Sequence, residues 1–345
     1  MKVLFISSRA DIGGGPKHLL DLLSSDAFSK VEKYVAIPRG HELSSAISSH
    51  SNGALFIPHR KFSFWRFILL IIFCREKGIQ LIHSHGRGAG VYSRLLSIFG
   101  IPVVHTFHGI HHERTFIGNL KLNIDRLLKL LAEHYICVSE DEKEKALNYG
   151  VCSEAYVVPN GVSCTPINPY TVRKTLKVGL LARLSYQKGI DILISHLNSI
   201  TLKDITFQIA GSGENELQLK ESAKETEALT FLGKTLEPRS FLLDCDVFLS
   251  TSRWEGFPLS VLEAMACGIP CLLPDVTGHR LFKENGCALF YDLHSAIDFK
   301  NKLEQLKSDY ELRLNLSKKG HHLIKESLNL ESMANRTISV YQKVL

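Results

Sequence analysis

The chain has 345 residues, of which 45% are hydrophobic and 22% charged, and its formal net charge is +6. This is a globular composition, and the length exceeds one ordinary core, which favours two domains. Residues 1–165 carry 19 Lys and Arg against 14 Asp and Glu (+5), whereas the remainder carries 22 against 21 (+1). The cations do not cluster with aromatic residues, so nucleic-acid binding is not expected, while an anionic lipid or a lipid-linked diphosphate suits the basic half.

The eight cysteines form no C-x-x-C pair, and several fall within strand-like apolar runs. They are expected to be small buried residues in a reducing compartment. The first apolar run, in MKVLFISSRAD, is too short for a signal peptide, and no stretch reaches transmembrane length. We therefore expect a cytoplasmic protein.

Short apolar runs alternate with helical patterns along the first half of the chain. Each run is almost continuously apolar, as buried parallel strands are. The predicted strands are KVLFISS, YVAIP, ALFIP, LIHSHG, PVVHTFHG, YICVS and AYVVPNG. One helix is well delimited, because Ser139 and Glu142 match the S-x-x-E capping box and Gly150 suits its C-terminal end.

The alternation restarts in the second half with KVGLLARL, TFQIAG, LTFLG, VFLSTS, PCLLPD and CALFYD. We predict Rossmann-like domains at 1–162 and 177–327, joined by a linker at 163–176 that carries two prolines. Residues 328–345 are expected to form a C-terminal helix that packs back towards the first domain. The predicted fold class is α/β, with two doubly wound domains facing across a cleft.

Ligands of open parallel sheets bind beyond the carboxyl ends of the strands. The first such loop has glycines at 13–15, which allow close backbone approach, and a helix is predicted from near Pro16. A dehydrogenase-type G-x-G-x-x-G is the alternative interpretation. It is disfavoured because His18 replaces the packing glycine and Arg39 follows the second strand where an acidic ribose ligand is expected.

Histidines are frequent at the strand ends. His83, His85, His111 and His112 are close in sequence, but their spacing lacks a convincing third ligand or carboxylate shell. We therefore expect no metal site there. His108 precedes the glycine of the loop HTFHG (105–109), and a lone histidine is more often structural than catalytic.

Two cations and two carboxylates mark the second half. Arg183 ends a strand and Lys188 begins a helix, an arrangement that could clamp a diphosphate. Asp244 and Asp246 form a D-x-D, a pattern that holds a divalent metal in some enzymes. Because they precede the VFLSTS strand directly, they are expected to cap a turn, and no metal requirement is predicted.

The most informative stretch is TSRWEGFPLSVLEAMACGIPC at 251–271. Pro258 suits the first position of a helix and Gly268 its end, so Glu255 should lie just before the helix and Glu263 within it. A helix N-terminus favours phosphate, and an ionised carboxylate accepts hydrogen bonds from neighbouring hydroxyls. The pair therefore indicates a sugar nucleotide.

This stretch resembles the E-G-F-G/P-x-x-x-x-E signature of the retaining glycosyltransferase family 4. ARLSYQKG resembles the family's G-R-L…K-G motif, with Ala182 in place of the usual glycine. The resemblance covers most of the chain, most specifically 178–290, and implies the GT-B fold. The chain departs from the family's pattern at two places. Ser163 stands where the family's N-G-V-D has an acidic residue, and DVTGHRLF stands where the family has a glycine-rich turn that ends in a glutamate.

The resemblance also implies residue roles. Arg183 and Lys188 would take the place of a metal on the diphosphate, Glu255 would bind the sugar and Glu263 the ribose. The implied catalytic residues are His108, Arg183, Lys188 and Glu255; the donor-binding residues are Gly14, Gly15, Arg183, Lys188, Gly211, Gly213, Glu255, Gly256, Phe257, Pro258, Leu259 and Glu263; and the acceptor-binding residues are Gly15, His18 and His108.

The implied activity is metal-independent transfer, with retention, of a sugar from a nucleotide-diphosphate sugar, foremost a UDP-sugar. The implied acceptor is a saccharide or a polyprenyl-diphosphate-linked saccharide of O-antigen or capsule synthesis. Residues 61–77 are apolar almost all round and bracketed by basic residues, so they either seat the protein on the inner face of an anionic membrane or form a buried helix. A sugar-nucleotide epimerase of the same fold and a non-catalytic sugar-nucleotide-binding protein are the alternatives.

Overall fold

The computed structural model describes residues 1–110, 115–132, 134–164, 166, 173–235 and 237–345. The chain divides into two compact units, Met1–Gly161 together with Leu330–Leu345, and Val162–Asn329. Residues 165 and 167–172 of the predicted linker lie outside the described residues, as do His111 and His112.

The first unit is built on a parallel sheet, and each of its seven predicted strands is present. The strands are β1 (Lys2–Ser7), β2 (Glu32–Ile37), β3 (Gly53–Phe56), β4 (Leu81–His85), β5 (Val103–Phe107), β6 (His134–Cys137) and β7 (Tyr156–Val157). The helices are α1 (Gly14–Ser24), α2 (Ser44–Ser49), α3 (Phe64–Lys77), α4 (Arg87–Ser97), α5 (Phe116–Leu128) and α6 (Glu140–Asn148). The strand order is β3-β2-β1-β4-β5-β6-β7.

The second unit repeats this plan with the six predicted strands. They are β8 (Leu176–Leu181), β9 (Ile205–Ala210), β10 (Leu229–Gly233), β11 (Val247–Leu249), β12 (Cys271–Pro274) and β13 (Leu289–Tyr291). The helices are α7 (Ile190–Ser199), α8 (Glu216–Ser222), α9 (Pro238–Leu243), α10 (Leu259–Ala266), α11 (Arg280–Glu284), α12 (Ala296–Ser308) and α13 (Tyr310–Ser327). The strand order is β10-β9-β8-β11-β12-β13, all parallel.

Continuous apolar runs suit these strands because both faces of each sheet are covered. In β1, Leu4 and Ile6 enter the core on one face of the sheet, while Val3 and Phe5 enter the core on the other. Successive side chains of a strand point to opposite faces, so a run that is apolar at every position buries both. The predicted α/β class with two Rossmann-like sheets is confirmed.

A last helix, α14 (Leu330–Val344), returns to the first unit. Met333 and Tyr341 are buried in the core on one face of the first sheet. The Tyr341 hydroxyl shares a 2.5 Å hydrogen bond with His83 Nδ1. The carboxylate of Glu331 accepts hydrogen bonds from the backbone N–H groups of Asp26 and Ala27, each at 2.9 Å. These contacts tie the end of the chain to its beginning.

The strand order reverses between β1 and β4 in the first sheet and between β8 and β11 in the second. Loops that leave such a switch point diverge to opposite faces and open a crevice at the carboxyl edge, where ligands of doubly wound sheets bind. The eight cysteines are all free, and seven of them are buried. Among the described residues, no helix is long and apolar enough to cross a membrane.

Candidate active site

The switch point of the second sheet brings together two residues that lie far apart in the sequence. Lys188 follows β8 and Glu255 follows β11, its neighbour in the sheet. The two side chains form an ion pair in which Lys188 Nζ lies 2.5 Å from Glu255 Oε1. The Glu255 side chain is only 7% exposed. The pair is therefore largely removed from solvent, where charge interactions are stronger than at a surface.

Glu255 is held as a carboxylate by its neighbours. Burial raises the pKa of a carboxyl group, but here the charge and hydrogen bond of Lys188 and the hydrogen bond from Ser252 outweigh burial and lower the pKa of Glu255 below its usual value. The Ser252 hydroxyl donates to Oε1 at 2.6 Å, and Gln187 Nε2 lies 3.5 Å from Oε2. Glu255 is thus a fixed negative charge with a defined orientation.

The loop of Lys188 is fastened to the loop of Glu255. The Thr251 hydroxyl donates to the carbonyl of Lys188 at 2.7 Å. A Cβ on Gly189 would lie 2.0 Å from the Thr251 carbonyl oxygen, and the backbone of Gly189 has φ +63°, so only glycine fits there. Arg253 adds a clamp, because its guanidinium bonds both carboxylate oxygens of Asp191, at 2.9 and 2.6 Å. These contacts preorganise the ion pair.

Helix α10 begins at Leu259, one residue later than the sequence predicts. Pro258 is the N-cap, with an extended backbone (ψ 113°), so its predicted place as the first helical residue was wrong. Phe257 is buried and stacks on Phe282, with ring centroids 5.4 Å apart. Gly268 lies just beyond the helix with φ +73°, as a C-terminal glycine should.

Glu263 lies on the second turn of α10 and is half-buried. It is therefore separated from Glu255 by the loop that contains Gly256, Phe257 and Pro258. The two carboxylates occupy different surroundings, one ion-paired before the helix and one within it. This separation is compatible with different partners on a ligand, which is what the resemblance implies.

Arg183 and the glycines at 211 and 213 lie at the same edge of the sheet. Arg183 is half-buried in the loop after β8, five residues before Lys188. The loop after β9 packs against it, since Leu184 N donates to the Ser212 carbonyl at 3.1 Å. A Cβ on Gly213 would lie 2.3 Å from the Leu184 carbonyl oxygen. These glycines allow the loop after β9 and the Arg183 loop to approach each other closely.

His279 lies beside the glutamate loop and was not among the predicted site residues. It follows β12, is fully buried, and bonds the Pro274 carbonyl through Nδ1 at 2.9 Å. Its Nε2 is buried and has no hydrogen-bond partner in the described part of the chain. The preceding turn contacts the glutamate loop, because Glu255 N donates to the Thr277 carbonyl at 3.0 Å. The sequence feature that could have indicated His279 is the T-G-H at 277–279, which follows a predicted strand.

In the first unit, three predicted residues meet at the carboxyl edge of the sheet. His18 is in α1, which begins at Gly14 rather than near Pro16. Its ring lies edge-on to that of His108, with centroids 4.7 Å apart. A Cβ on Gly15 would lie 3.6 Å from the His108 ring, so the α1 terminus abuts that ring. The structure thus groups Gly15, His18 and His108.

His85 completes this group and was not predicted as a site residue. It ends β4, beside β5, and its Nδ1 shares a 3.1 Å hydrogen bond with His108 Nε2. His18 Nδ1 bonds Asn160 Oδ1 at 2.9 Å. The pKa of His18 is lowered to about 4, mainly by burial. Burial, together with neighbouring rings, holds the pKa values of His85 and His108 well below 6.5. All three imidazoles are therefore neutral near pH 7.

Neutral imidazoles can ligate a transition metal, and ring nitrogens of these three histidines lie within 4.8 Å of one another. However, Nδ1 of His85 and Nε2 of His108 bond each other, and Nδ1 of His18 bonds Asn160. These bonds orient the three rings. Neutral imidazole N–H groups and lone pairs also suit the hydroxyls of a saccharide.

Glu142 supports the loop that follows His108. The predicted capping box forms only in part: Ser139 Oγ accepts from Glu142 N at 3.1 Å, but the Glu142 carboxylate does not return to Ser139. Instead its Oε1 accepts from the backbone N–H groups of Gly109 and Ile110, at 2.9 and 2.5 Å. The carboxylate thus satisfies backbone N–H groups in the turn after β5. Leaving buried N–H groups without an acceptor costs more than leaving those of an exposed helix start to water.

Asp244 and Asp246 lie at the opposite edge of the second sheet. They precede β11, whereas Lys188 and Glu255 follow strands. Asp246 Oδ2 accepts from the backbone N–H of Lys177 at 2.8 Å. The Asp244 carboxylate pairs with Lys177 Nζ and with Arg173, each at 3.0 Å. Both carboxylates thus bond cations and backbone at the amino ends of strands.

Comparison with known proteins identifies relatives of both units. Residues 12–165 match "Glycosyltransferase Family 4", and residues 171–323 match "Glycosyl transferases group 1". The O-antigen biosynthesis glycosyltransferase WbnH of Escherichia coli is 30% identical over 270 residues, which cover 75% of this chain and 77% of that protein. The UDP-Gal:alpha-D-GlcNAc-diphosphoundecaprenol alpha-1,3-galactosyltransferase of Escherichia coli is 26% identical, covering 77% and 76%.

Solved structures share the fold. Anabaena HepE in complex with UDP and glucose superposes with a TM-score of 0.86 at 18% identity, covering 99% of this chain and 100% of that one. A sucrose-phosphate synthase from Thermosynechococcus elongatus superposes with a TM-score of 0.81, also at 18% identity, covering 99% and 98%.

Proposed function

Because the chain belongs to glycosyltransferase family 4 and is a glycosyltransferase with the GT-B fold, we propose that it transfers a sugar from a nucleotide-diphosphate sugar, foremost a UDP-sugar, with retention at the anomeric carbon. The observation that carries this proposal is the buried Lys188–Glu255 ion pair at the switch point of the second sheet. A cation and a carboxylate there match a ligand that has a diphosphate and sugar hydroxyls.

The proposed reaction breaks the bond from the anomeric carbon to the donor phosphate and forms a bond from that carbon to an acceptor oxygen. The acceptor's proton passes to the departing phosphate oxygen on the same face. Lys188 and Arg183 stabilise the negative charge that grows on the phosphate. A covalent intermediate would require a carboxylate beneath the anomeric carbon. Glu255 suits that role poorly because Lys188 and Ser252 already fix its Oε1.

We propose that the reaction needs no metal. Two cations at the carboxyl edge supply the charge that a divalent ion gives to other sugar transferases. The support is the placement of Asp244 and Asp246 at the amino edge, engaged with Lys177 and Arg173.

For the acceptor, we propose a saccharide or a polyprenyl-diphosphate-linked saccharide in the assembly of a cell-surface polysaccharide. The names of the Escherichia coli relatives include O-antigen biosynthesis and a diphosphoundecaprenol substrate. On this chain, Gly15, His18, His85 and His108 are the residues proposed to meet the acceptor and the transferred sugar, since they line the carboxyl edge of the first sheet.

We further propose that the protein works at the cytoplasmic face of an anionic membrane. In α3, Leu70 and Cys74 are buried, whereas Phe64, Trp65 and Leu69 are 64%, 76% and 42% exposed. The helix is therefore buried on one side and apolar on the exposed side, with basic residues at both ends, as interfacial helices are. Fluorescence of Trp65 should shift to the blue with phosphatidylglycerol vesicles but not with phosphatidylcholine vesicles. An unchanged spectrum with both would contradict this proposal.

A thermal-shift panel of nucleotide sugars, followed by transfer assays with the stabilising donor, tests the function. A transferase releases nucleotide diphosphate in proportion to the acceptor consumed. An epimerase would convert the donor into an isomer without acceptor, which thin-layer chromatography resolves. A non-catalytic binding protein would be stabilised by the donor and leave it intact.

A further inference from the structure

A solvent-open cavity lies at the carboxyl ends of β2 and β3, beside the first turn of α3. Its volume is about 360 Å³, within the range of small-molecule sites. Arg39, His41, His59 and Arg66 supply its polar lining, with Phe56 and Pro58 between them. Strands β2 and β3 lie beyond β1 at one side of the sheet, so this cavity is separate from the histidine group at β4 and β5.

Two arginines of the cavity have no carboxylate partner among the described residues, while Asp11 acts on the neighbouring His59. Within the described residues, neither Arg39 nor Arg66 forms an ion pair, and Arg39 lies over the Phe56 ring at 5.4 Å. The neighbouring arginine, Arg60, differs, since it faces Asp11 at 3.5 Å. Asp11 also pairs with Arg9 at 2.7 Å. Two guanidinium groups without a carboxylate partner, lining one cavity, favour an anionic ligand.

The two histidines of the cavity also favour a ligand with oxygen atoms. The rings of His41 and His59 stack with centroids 4.2 Å apart. His59 Nδ1 is buried and has no hydrogen-bond partner in the described part of the chain. A buried polar atom without a partner carries a free-energy cost, which an oxygen atom of a bound ligand would remove.

Apolar surface adjoins this polar cavity. Phe62, Phe64 and Trp65 directly precede Arg66, and they are 46%, 64% and 76% exposed. Ser63 caps α3 by accepting from Arg66 N, so the three aromatic residues and Arg66 share one helix start. A ligand that fills the cavity and also covers these rings must combine an anionic group with a hydrocarbon chain.

The distance to the reaction centre is consistent with an acceptor. Strand β5, which leads to His108, is the third strand from β2 in the sheet. At about 4.8 Å per strand, this corresponds to roughly 14 Å along the carboxyl edge. A ligand anchored by an anion at β2 can therefore extend a saccharide along the edge towards His108.

From this arrangement we propose that Arg39, Arg66 and the His41–His59 pair bind the diphosphate of a lipid-linked saccharide acceptor, whose hydrocarbon chain lies on Phe62, Phe64 and Trp65. This inference rests on the proposed transfer to a diphosphate-linked acceptor and assigns it a site. Guanidinium forks match phosphate oxygens in pairs, which a lysine cannot reproduce.

The test compares wild type with the double variant Arg39→Ala/Arg66→Ala. The acceptors are a saccharide linked through diphosphate to a short prenyl chain and the same saccharide as a neutral alkyl glycoside. We expect KM for the diphosphate acceptor to rise by about tenfold or more, as when charge-assisted hydrogen bonds are lost. KM for the alkyl glycoside and the rate of donor hydrolysis should not change. Arg60→Ala is the matched control, because it removes an adjacent charge that faces Asp11 and should behave as wild type.

An unchanged KM for the diphosphate acceptor in the folded double variant would overturn the assignment. If wild type transferred to neither acceptor, the proposed function would fail, and calorimetry with inorganic diphosphate would test the cavity separately. In that titration, with excess nucleotide diphosphate in the donor site, wild type and Arg60→Ala should bind inorganic diphosphate and the double variant should not. Loss of binding to phosphatidylglycerol vesicles with unchanged KM for the soluble acceptor would instead assign the cavity to phospholipid headgroups.

Discussion

Lys188 Nζ and Glu255 Oε1 lie 2.5 Å apart in a nearly buried ion pair, although the two residues are 67 positions apart in the chain. The family resemblance implies a diphosphate as the ligand of the lysine and a sugar as the ligand of the glutamate. Their direct contact fixes the position of both side chains, and Lys188 helps to keep Glu255 ionised. In a sugar-nucleotide donor, the anomeric carbon is bonded to an oxygen of the diphosphate. A lysine and a glutamate in direct contact are therefore suited to bind the diphosphate and the sugar at the same time.

Lys188→Ala should lower turnover by roughly two orders of magnitude or more, because a donor to the transition-state charge is lost. Removing one partner of a buried pair should also destabilise the fold by about 3 kcal/mol or more, since Glu255 is left buried and unpaired. Steady-state rates and urea unfolding measure the two effects. Lys283→Ala, which removes an exposed lysine paired with Asp275, should change neither.

The double variant Lys188→Ala/Glu255→Gln separates stability from catalysis. It leaves no buried charge at this position, so it should regain part of the lost stability while remaining inactive. Near-normal turnover in folded Lys188→Ala would contradict the diphosphate assignment.

Glu255→Gln and Glu263→Gln should differ in kind. Glu263→Gln should weaken binding of donor and of free nucleotide diphosphate, because the proposed ribose contacts are the same before and during reaction. Glu255→Gln should lower turnover, with nucleotide affinity about unchanged, because it removes negative charge near the developing positive sugar ring. Calorimetry with nucleotide alone, beside transfer rates, distinguishes them. The opposite pattern would show that the two roles are reversed.

Transfer should persist in excess EDTA, and Asp244→Asn should stay active, because Asp244 pairs with Lys177 and Arg173 at the far edge of the sheet. The variant should lose only modest stability, since its side chain is half exposed. The measurement is the transfer rate with EDTA and after manganese is added back. Loss of transfer with chelation and its recovery with manganese would reinstate a metal.

The strands were predictable because a parallel strand covered on both faces needs apolar residues at consecutive positions, as in Val3–Ile6. Site loops were predictable because they follow such strands. The contacts between side chains of different loops were not predictable. Neither the ion pair of Lys188 with Glu255 nor the hydrogen bond from Gly109 N to Glu142 leaves a pattern in the local sequence. Pro258 was placed one position too far into the helix, because proline suits both the cap and the first turn.

The buried histidines should make the first unit sensitive to acid. His18 has a pKa of about 4 when folded, lowered mainly by burial, and those of His83, His85, His105 and His108 are also lowered mainly by burial. Between pH 6.5 and 4 the unfolded chain binds more protons, so stability is fully present above pH 6.5 and falls as pH decreases. For His18 alone, the loss at pH 5 is about 2 kcal/mol.

Urea unfolding followed by hydrogen exchange of the backbone amides of β1, β4 and β5 reports on the first unit. Its midpoint should decrease from pH 7 to pH 5. A midpoint independent of pH over this range would mean that these histidines are not buried as neutral rings.

The central claim is retaining transfer from a nucleotide-diphosphate sugar, and the direct measurement is the anomeric configuration of the product. The protein would be incubated with the α-linked UDP-sugar that stabilises it most and with a diphosphate-linked saccharide acceptor, and the new linkage assigned by NMR. The account predicts acceptor-dependent release of UDP and an α-linked product. A β-linked product, or consumption of donor without transfer to any acceptor, would contradict it.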